Sequence, residues 1–191
     1  MTYAVFAALL LIFHPAGQAA ASPGEKMVLA DFDRNDEAQV MGVFDRNPMD
    51  NDQWISMSFV DGGVFPEKEN RFLSLDYDVE SSQPAKAVFW FKLKNTDLSE
   101  FDSLHLFLKA DPEMGGARNV IVEFTDEFHR KAPYVLTGIS EEWQEFSIPF
   151  KRFSRIRDWS SVKQFSIVLD DTYSIPKKGK LFVDEIFVIK S

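Results

Sequence analysis

Apolar and polar side chains alternate along most of this chain with a period close to two residues, which is the spacing of β-strands. The alternation is clearest over residues 71–79, 87–94 and 103–110. Further strands are predicted over residues 27–32, 54–60, 119–125, 134–137, 142–148, 164–169 and 180–189. No amphipathic helix longer than two turns is found, so the pattern predicts an all-β sandwich or jelly roll.

The segments between these strands are rich in Gly, Pro, Asp and Asn. Residues 33–52 have no sustained period and are predicted to form a long loop. Gly138 marks a turn before the strand at 142–148, and Pro149 ends that strand because it has no N–H to donate. One helical turn is predicted at residues 158–161.

The N-terminal 21 residues contain no charged side chain. A short apolar run at residues 5–13 is followed by Pro15 and Gly17, and then by three alanines ending at Ala21. This order is typical of a cleaved signal peptide, so we predict a signal peptide at 1–21, a linker at 22–26 and a single domain at 27–191. The mature protein is then expected to be secreted or periplasmic, with no membrane insertion after cleavage.

The formal net charge of −9 disfavours a nucleic acid or an anionic membrane as the partner, because both are bound by basic surfaces. The absence of Cys excludes disulfides, thiolate nucleophiles and Cys-based zinc sites. His105 and His129 have no metal-ligand spacing, and no nucleophile elbow or phosphate loop occurs. We therefore predict no catalytic residue. With 30 Asp and Glu residues, however, a carboxylate pair at glycosidase spacing remains open.

Several short motifs occur in one order along the chain: Tyr77-Asp78-Val79, Phe89-Trp90-Phe91, Asp97-Leu98-Ser99, Phe101-Asp102-Ser103-Leu104, Gly138-Ile139, Trp143-Gln144, Ile148-Pro149-Phe150 and Val183-Asp184-Glu185-Ile186. Over residues 28–189 the chain thereby resembles carbohydrate-binding modules of the family-eleven type, within the galactose-binding-like jelly rolls. The resemblance implies a concave sheet that holds glucan chains, together with a structural calcium ion. A weaker similarity runs to the intermediate-associated assembly factors of respiratory complex I.

Alternation also separates a predicted core from a predicted outer surface. The core set is Phe89, Leu104, Leu106, Val122, Phe124, Ile167 and Leu169. The opposite set shares the outer surface of one or both sheets, and it is Trp90, Lys92, His105, Phe107, Lys109, Ile121, Glu123, Val168 and Asp170. Trp90 is predicted to stack on a sugar, with Phe107 as a second aromatic. The groups predicted to hydrogen-bond the hydroxyls are Lys92, Lys109, Glu123 and Asp170.

Four loop or loop-adjacent residues are predicted to form the rim of such a cleft: Tyr134, His129, Arg130 and Tyr173. The alternative is that they are ordinary solvated residues, and that Trp90 and Phe107 lie under a long loop as part of the core. Trp143 and Trp159 are assigned to packing.

Asp184 lies among apolar neighbours on both faces of the last predicted strand, where an unpaired carboxylate is costly. A metal ion, an Arg partner or backbone N–H groups would each satisfy it. Asp31 and Asp33 near the first strand could join it in a calcium site, because first and last strands are often adjacent in such folds. That calcium is expected mainly from the resemblance.

Three functions follow from these observations. The first is a secreted, non-catalytic module that binds a polysaccharide or glycan on a concave β-sheet face. The second is a protein-binding or assembly module on the same fold. The third is a jelly-roll lyase or hydrolase that acts on glycans.

Overall fold

The computed structural model describes residues 24–33, 40–46, 53–65 and 70–190. These residues form strands β1 (Lys26–Ala30), β2 (Met41–Arg46), β3 (Trp54–Asp61), β4 (Arg71–Asp78), β5 (Lys86–Thr96), β6 (Ser103–Ala110), β7 (Asn119–Asp126), β8 (Lys131–Thr137), β9 (Gln144–Pro149), β10 (Val162–Asp170) and β11 (Lys178–Ile189). A 3-10 turn, η1 (Phe150–Arg152), follows β9. Within the described ranges, no helix is long and apolar enough to cross a membrane.

The strands form two antiparallel sheets. Sheet I has the order β3-β4-β11-β6-β9, and β1 pairs with β11 beside this path. Sheet II has the order β2-β5-β10-β7-β8. Most hydrogen-bonded neighbours are distant in the chain, as expected for a jelly roll. The predicted all-β jelly-roll sandwich is confirmed.

The core lies between the two sheets and is rich in phenylalanine. All seven residues of the predicted core set have no exposed surface, so that prediction is confirmed. Phe124 lies at the centre of an aromatic cluster, with its ring 5.2 Å from Phe153 and 5.3 Å from both Trp159 and Phe165. Trp159 also stacks on Phe150 at a centroid distance of 4.1 Å, in agreement with its assignment to packing.

The structure corrects two predicted elements. Residues 41–46 form strand β2 at the edge of sheet II, inside the segment predicted as a loop. Its alternation is weak because Gly42 occupies an outward position and an edge strand buries few side chains. The helical turn predicted at 158–161 is absent, and the helical residues are instead those of η1, directly after Pro149. The predicted signal peptide lies outside the described residues and stays a prediction.

Candidate functional site

The outer surface of sheet II is crossed by four rows of side chains, because residues paired across antiparallel strands point to the same face. The apolar row contains Phe44, Val88, Val168, Ile121 and Val135. The middle row contains Gly42, Trp90, Ser166, Glu123 and Pro133. The basic row contains Lys92, Gln164, Thr125 and Lys131. The fourth row contains Lys86 and Asp170 and lies beyond the apolar row. From the apolar row to the basic row, the surface therefore changes from apolar to cationic.

Trp90 is half-buried in the middle row, and its indole lies over the backbone of β2. Gly42 is its partner across the β2–β5 pair, and a Cβ at Gly42 would stand 3.2 Å from Cζ2 of the indole. The absence of a side chain at Gly42 thus leaves the space that the indole ring occupies. A ring supported along one side by backbone and partly open to solvent is a rigid apolar platform.

Hydrogen-bonding groups continue the middle row away from Trp90. Ser166 is 1% exposed and accepts a hydrogen bond from Nε2 of Gln164 at 3.0 Å. Glu123 is 8% exposed, and Nζ of Lys131 donates to its Oε1 at 2.8 Å. These pairs hold donors and acceptors at defined positions beside the indole, which is the arrangement that orients a polar ligand.

At the basic end of the face lies a cavity of about 350 Å³. It is lined by Lys92, Lys94, Thr125, His129, Lys163 and Gln164. The pairing of β10 is irregular between Val162 and Gln164, so Lys163 is an extra residue whose side chain reaches the same cavity as that of Gln164. Lys94 and His129 both have left-handed backbone conformations, with φ of 53° and 62°.

One side chain of this cavity has an unsatisfied hydroxyl. Thr125 is 7% exposed, and its Oγ1 has no hydrogen-bond partner. The adjacent Asp126 is nearly fully buried and accepts from Nε of Arg130 at 2.6 Å. Burial alone would raise the pKa of Asp126, but hydrogen bonds from the backbone N–H and the guanidinium of Arg130 hold that pKa below its usual value. Asp126 is therefore a charged, fully engaged group beside the cavity.

Of the seven predicted glycan contacts, sheet II brings four onto its outer face: Trp90, Lys92, Glu123 and Asp170. Asp170 lies at the end of β10, where its Oδ1 accepts from the N–H groups of Thr172 and Tyr173 and so holds a turn. Tyr134 packs against the core, with its ring 5.9 Å from that of Phe153. Asp170 shares the outer face of sheet II through its pairing with Lys86, but its carboxylate is engaged in the turn, whereas Tyr134 points to the core.

Phe107 and Lys109 lie on the opposite side of the molecule, on the outer face of sheet I. Phe107 contacts Phe65 at a ring distance of 5.9 Å, and Lys109 is paired with Phe182. Alternation correctly predicted that both side chains point outward. Each sheet has an outer face, however, and the predicted glycan contacts include residues from both faces. A single ligand on sheet II does not reach them.

The loop residues predicted as a rim also separate. His129 lines the cavity, Arg130 is paired with Asp126, and Tyr173 is exposed beyond β10. Trp143 packs between Phe72 and Phe182 on the outer face of sheet I, at ring distances of 5.5 Å and 6.5 Å.

Four lining residues of the cavity were absent from the predicted site: Lys94, Thr125, Lys163 and Gln164. The signal for two of them was present, because Lys94 and Thr125 each lie two residues beyond a predicted contact on the same strand. Lys163 reaches the cavity only through the irregular pairing of β10, which alternation does not reveal.

Asp184, on β11, is fully buried beneath the turn that follows β3. Its Oδ2 accepts from the N–H of Val64 at 3.1 Å and from Nδ2 of Asn70 at 3.3 Å, and its Oδ1 accepts from the N–H of Glu185 at 2.9 Å. Burial raises the pKa of the Asp184 carboxyl to about 6. The hydrogen bonds to the carboxylate lower its pKa, but their effect is smaller than that of burial. A Cβ at Gly63 would come within 2.6 Å of Oδ2, so the backbone approaches this carboxylate closely.

The other two predicted calcium ligands are engaged elsewhere. Oδ1 of Asp33 accepts from the N–H of Arg71 at 3.0 Å, and Oδ1 of Asp31 accepts from the N–H of Asp33 at 3.3 Å. In the part of the chain that the structure describes, no group of three or more His, Cys, Asp or Glu side chains could hold a metal ion. The predicted trio of Asp31, Asp33 and Asp184 is thus not assembled as a carboxylate cluster.

Comparisons with known proteins support the fold. Neither a protein-family model nor a curated protein sequence matches this chain. Among solved structures, the fold is similar to a family 11 carbohydrate-binding module from Clostridium thermocellum in complex with a β-1,3-1,4-mixed-linked tetrasaccharide, with a TM-score of 0.65 and 16% identity over 90% of this chain and 98% of that one.

Two further structures are similar in fold. The family 11 module of a cellulosomal cellulase of Clostridium thermocellum aligns with a TM-score of 0.64 and 16% identity over 89% of this chain and 97% of that one. The CBM22-1 xylan-binding domain of Paenibacillus barcinonensis Xyn10C aligns with a TM-score of 0.53 and 13% identity over 90% of this chain and 99% of that one. The expected likeness to family 11 modules is confirmed at the level of the fold.

Proposed function

We propose that this protein is a non-catalytic module, secreted or periplasmic, that binds a polysaccharide on the outer face of sheet II. The observation that carries the proposal is the middle row, in which a half-buried indole is followed by a serine and a glutamate that are both hydrogen-bonded by neighbours. The structures it resembles include a module in complex with a mixed-linkage tetrasaccharide and a xylan-binding domain, which agrees with a glycan as the ligand.

The chemistry of a sugar fits this row. A pyranose has an apolar C–H face that packs on an indole and hydroxyls that need donors and acceptors at its edge. Trp90 supplies the apolar surface, and Lys92, Gln164 and Glu123 supply the polar groups. Because Gly42 and the β2 backbone support the indole, little side-chain entropy remains to be lost on binding.

Affinity electrophoresis against mixed-linkage glucan, cellulose, xylan, galactan and polygalacturonate tests the proposal. Trp90→Ala should abolish or strongly reduce retardation, since stacking on a nucleobase, the nearest measured analogue, is worth about 1–3 kcal/mol per ring. Trp54→Ala is the matched control, because Trp54 is an exposed indole at the edge of sheet I. Circular dichroism of each variant establishes that it is folded.

Two results would contradict the proposal. One is unretarded migration of the folded wild type on every polymer. The other is an equal loss of retardation in Trp54→Ala and Trp90→Ala. The first result would favour the alternative of a protein-binding or assembly module, because the apolar row beside Trp90 would then be the surface that a partner chain covers.

The oxygen atoms around Asp184 are of the kind that calcium takes as ligands. The Oδ1 of Asn70 is buried without a hydrogen-bond partner, on the amide that donates to Asp184. A hard cation would satisfy both this oxygen and the buried carboxylate. Bound there, calcium would supply structural stabilisation, holding the turn after β3 against β11, and would have no direct part in ligand binding on sheet II.

A further inference from the structure

The cavity at the basic end of sheet II lies to one side of the middle row. That row runs across the strands, from Trp90 on β5 to Glu123 on β7. Lys92 and Thr125, which line the cavity, lie two residues further along the same two strands, a displacement of roughly 7 Å in the strand direction. A main chain that follows the middle row therefore passes beside the cavity.

We infer that this cavity binds a neutral sugar branch, one ring that projects from the main chain of the glycan on the middle row. The inference rests on the proposed function and adds the class of ligand, which is a branched polysaccharide. A main-chain ring that packs on Trp90 lies outside the cavity, whereas a substituent directed along the strands enters it.

The size of the cavity suits one sugar ring. Its volume of about 350 Å³ lies near the lower end of the range for small-molecule pockets, which is about 300–1,000 Å³. Such a volume accommodates a single ring and not a further length of main chain. Three of the lining residues are lysines, whose side chains combine methylene stems with ammonium groups. They therefore match a sugar ring, which combines C–H surface with hydroxyls.

The buried hydroxyl of Thr125 is the observation that points to a ligand. Thr125 is 7% exposed and lines the cavity, and its Oγ1 has no hydrogen-bond partner among the described residues. A buried hydroxyl without a partner is costly. A sugar hydroxyl both donates and accepts, as the threonine hydroxyl does, so one hydroxyl of a branch in the cavity would satisfy Oγ1 in either direction.

Two other polar groups of the cavity are held in place by hydrogen bonds to the protein. Nζ of Lys163 donates to the backbone carbonyl of Glu127 at 2.8 Å, and Nε2 of Gln164 donates to Oγ of Ser166 at 3.0 Å. An ammonium has three N–H groups and an amide also has an acceptor oxygen, so each group can bond a ligand as well. Groups that are fixed before binding lose less entropy when the ligand arrives.

The test compares oligosaccharides that share a main chain and differ only in branching. Isothermal titration calorimetry measures cellotetraose beside its xylosyl-branched form, xylotetraose beside its arabinosyl-branched form, and mannotetraose beside its galactosyl-branched form. The wild type is expected to bind at least one branched member about tenfold more tightly than its unbranched partner. The pair with the largest ratio identifies the branch that the cavity takes.

Two variants of Thr125 test whether the cavity causes this preference. Thr125→Val removes the hydroxyl and keeps the shape of the side chain, so it should lower affinity for the branched member about three- to tenfold and leave the unbranched one unchanged. Thr125→Phe fills the cavity and should abolish the preference. The matched control is Thr137→Val, at an exposed position at the opposite end of the β7–β8 pair, and it should change neither affinity. Circular dichroism establishes that each variant is folded.

Several outcomes would overturn the inference. Equal or weaker binding of the branched member in every pair would refute it while the proposed function stands. A preference for branching that survives in the folded Thr125 variants would mean that the branch lies outside the cavity. Equal losses in Thr125→Val and Thr137→Val would likewise contradict a role for the cavity. Failure of the folded wild type to bind any glycan would refute the inference together with the proposed function.

Discussion

Gly42 on β2 lies directly opposite Trp90 on β5. Because Gly42 has no side chain, the indole has space above this residue. A Cβ atom at position 42 would stand 3.2 Å from Cζ2 of the indole. The position and orientation of the aromatic platform are thus set by a residue on a neighbouring strand. Gly42 belongs to the segment that showed no strand period in the sequence.

Gly42→Val should displace the indole and weaken glycan binding by roughly as much as Trp90→Ala, because the two added methyl groups take the volume that the ring occupies. Near-ultraviolet circular dichroism and titration calorimetry with the same polymer measure the two effects. The double variant Gly42→Val/Trp90→Ala should bind no worse than Trp90→Ala alone. Additive losses would mean that Gly42 does not act through the indole.

Phe124→Ala should lower the free energy of unfolding by about 3–5 kcal/mol, because it removes a fully buried ring from the centre of the aromatic cluster. Phe128→Ala, four residues away and 66% exposed in the native state, is the matched control and should cost less than about 1 kcal/mol. Urea unfolding monitored by tryptophan fluorescence provides both values. Equal costs would contradict the assignment of Phe124 to the core.

Asp126 should stabilise the protein at neutral pH and lose that effect in acid. Its pKa is lower in the folded state than the ordinary value of 3.8, so its contribution is complete above that value and is lost as the pH falls through the folded pKa. Asp126→Asn should therefore lower the free energy of unfolding at pH 7, on the order of 1–3 kcal/mol, with a smaller difference from wild type near pH 2. A difference that is constant from pH 7 to pH 2 would show that charge is not the cause.

Calcium should raise the melting temperature of the wild type relative to the same protein in EDTA, because an ion that binds only the folded state stabilises it. Asp184→Asn should lose most of that increase, whereas Asp45→Asn, on an exposed position of β2, should keep it. Differential scanning calorimetry at fixed ionic strength is the measurement. A wild-type melting temperature that does not respond to calcium would refute the proposed ion.

The core could be predicted from the sequence because burial in a sandwich repeats every two residues, and the seven predicted positions are all fully buried. The site could be predicted only in part. Alternation predicts that Trp90, Lys92, Glu123, Phe107 and Lys109 all point outward, but pairing between distant strands is invisible in one sequence. The sequence alone therefore does not show that Phe107 and Lys109 lie on the other sheet. Lys163 depends on irregular pairing in β10, which hydrophobic periodicity does not reveal.

The most direct test of glycan binding on sheet II is a ¹H–¹⁵N NMR titration with a tetrasaccharide of whichever polymer binds. Binding on sheet II should shift the backbone amides of Trp90, Ser166 and Glu123 and the indole N–H of Trp90, and should leave Phe107 and Phe182 on sheet I unchanged. Shifts confined to sheet I at saturating ligand would contradict the proposed site.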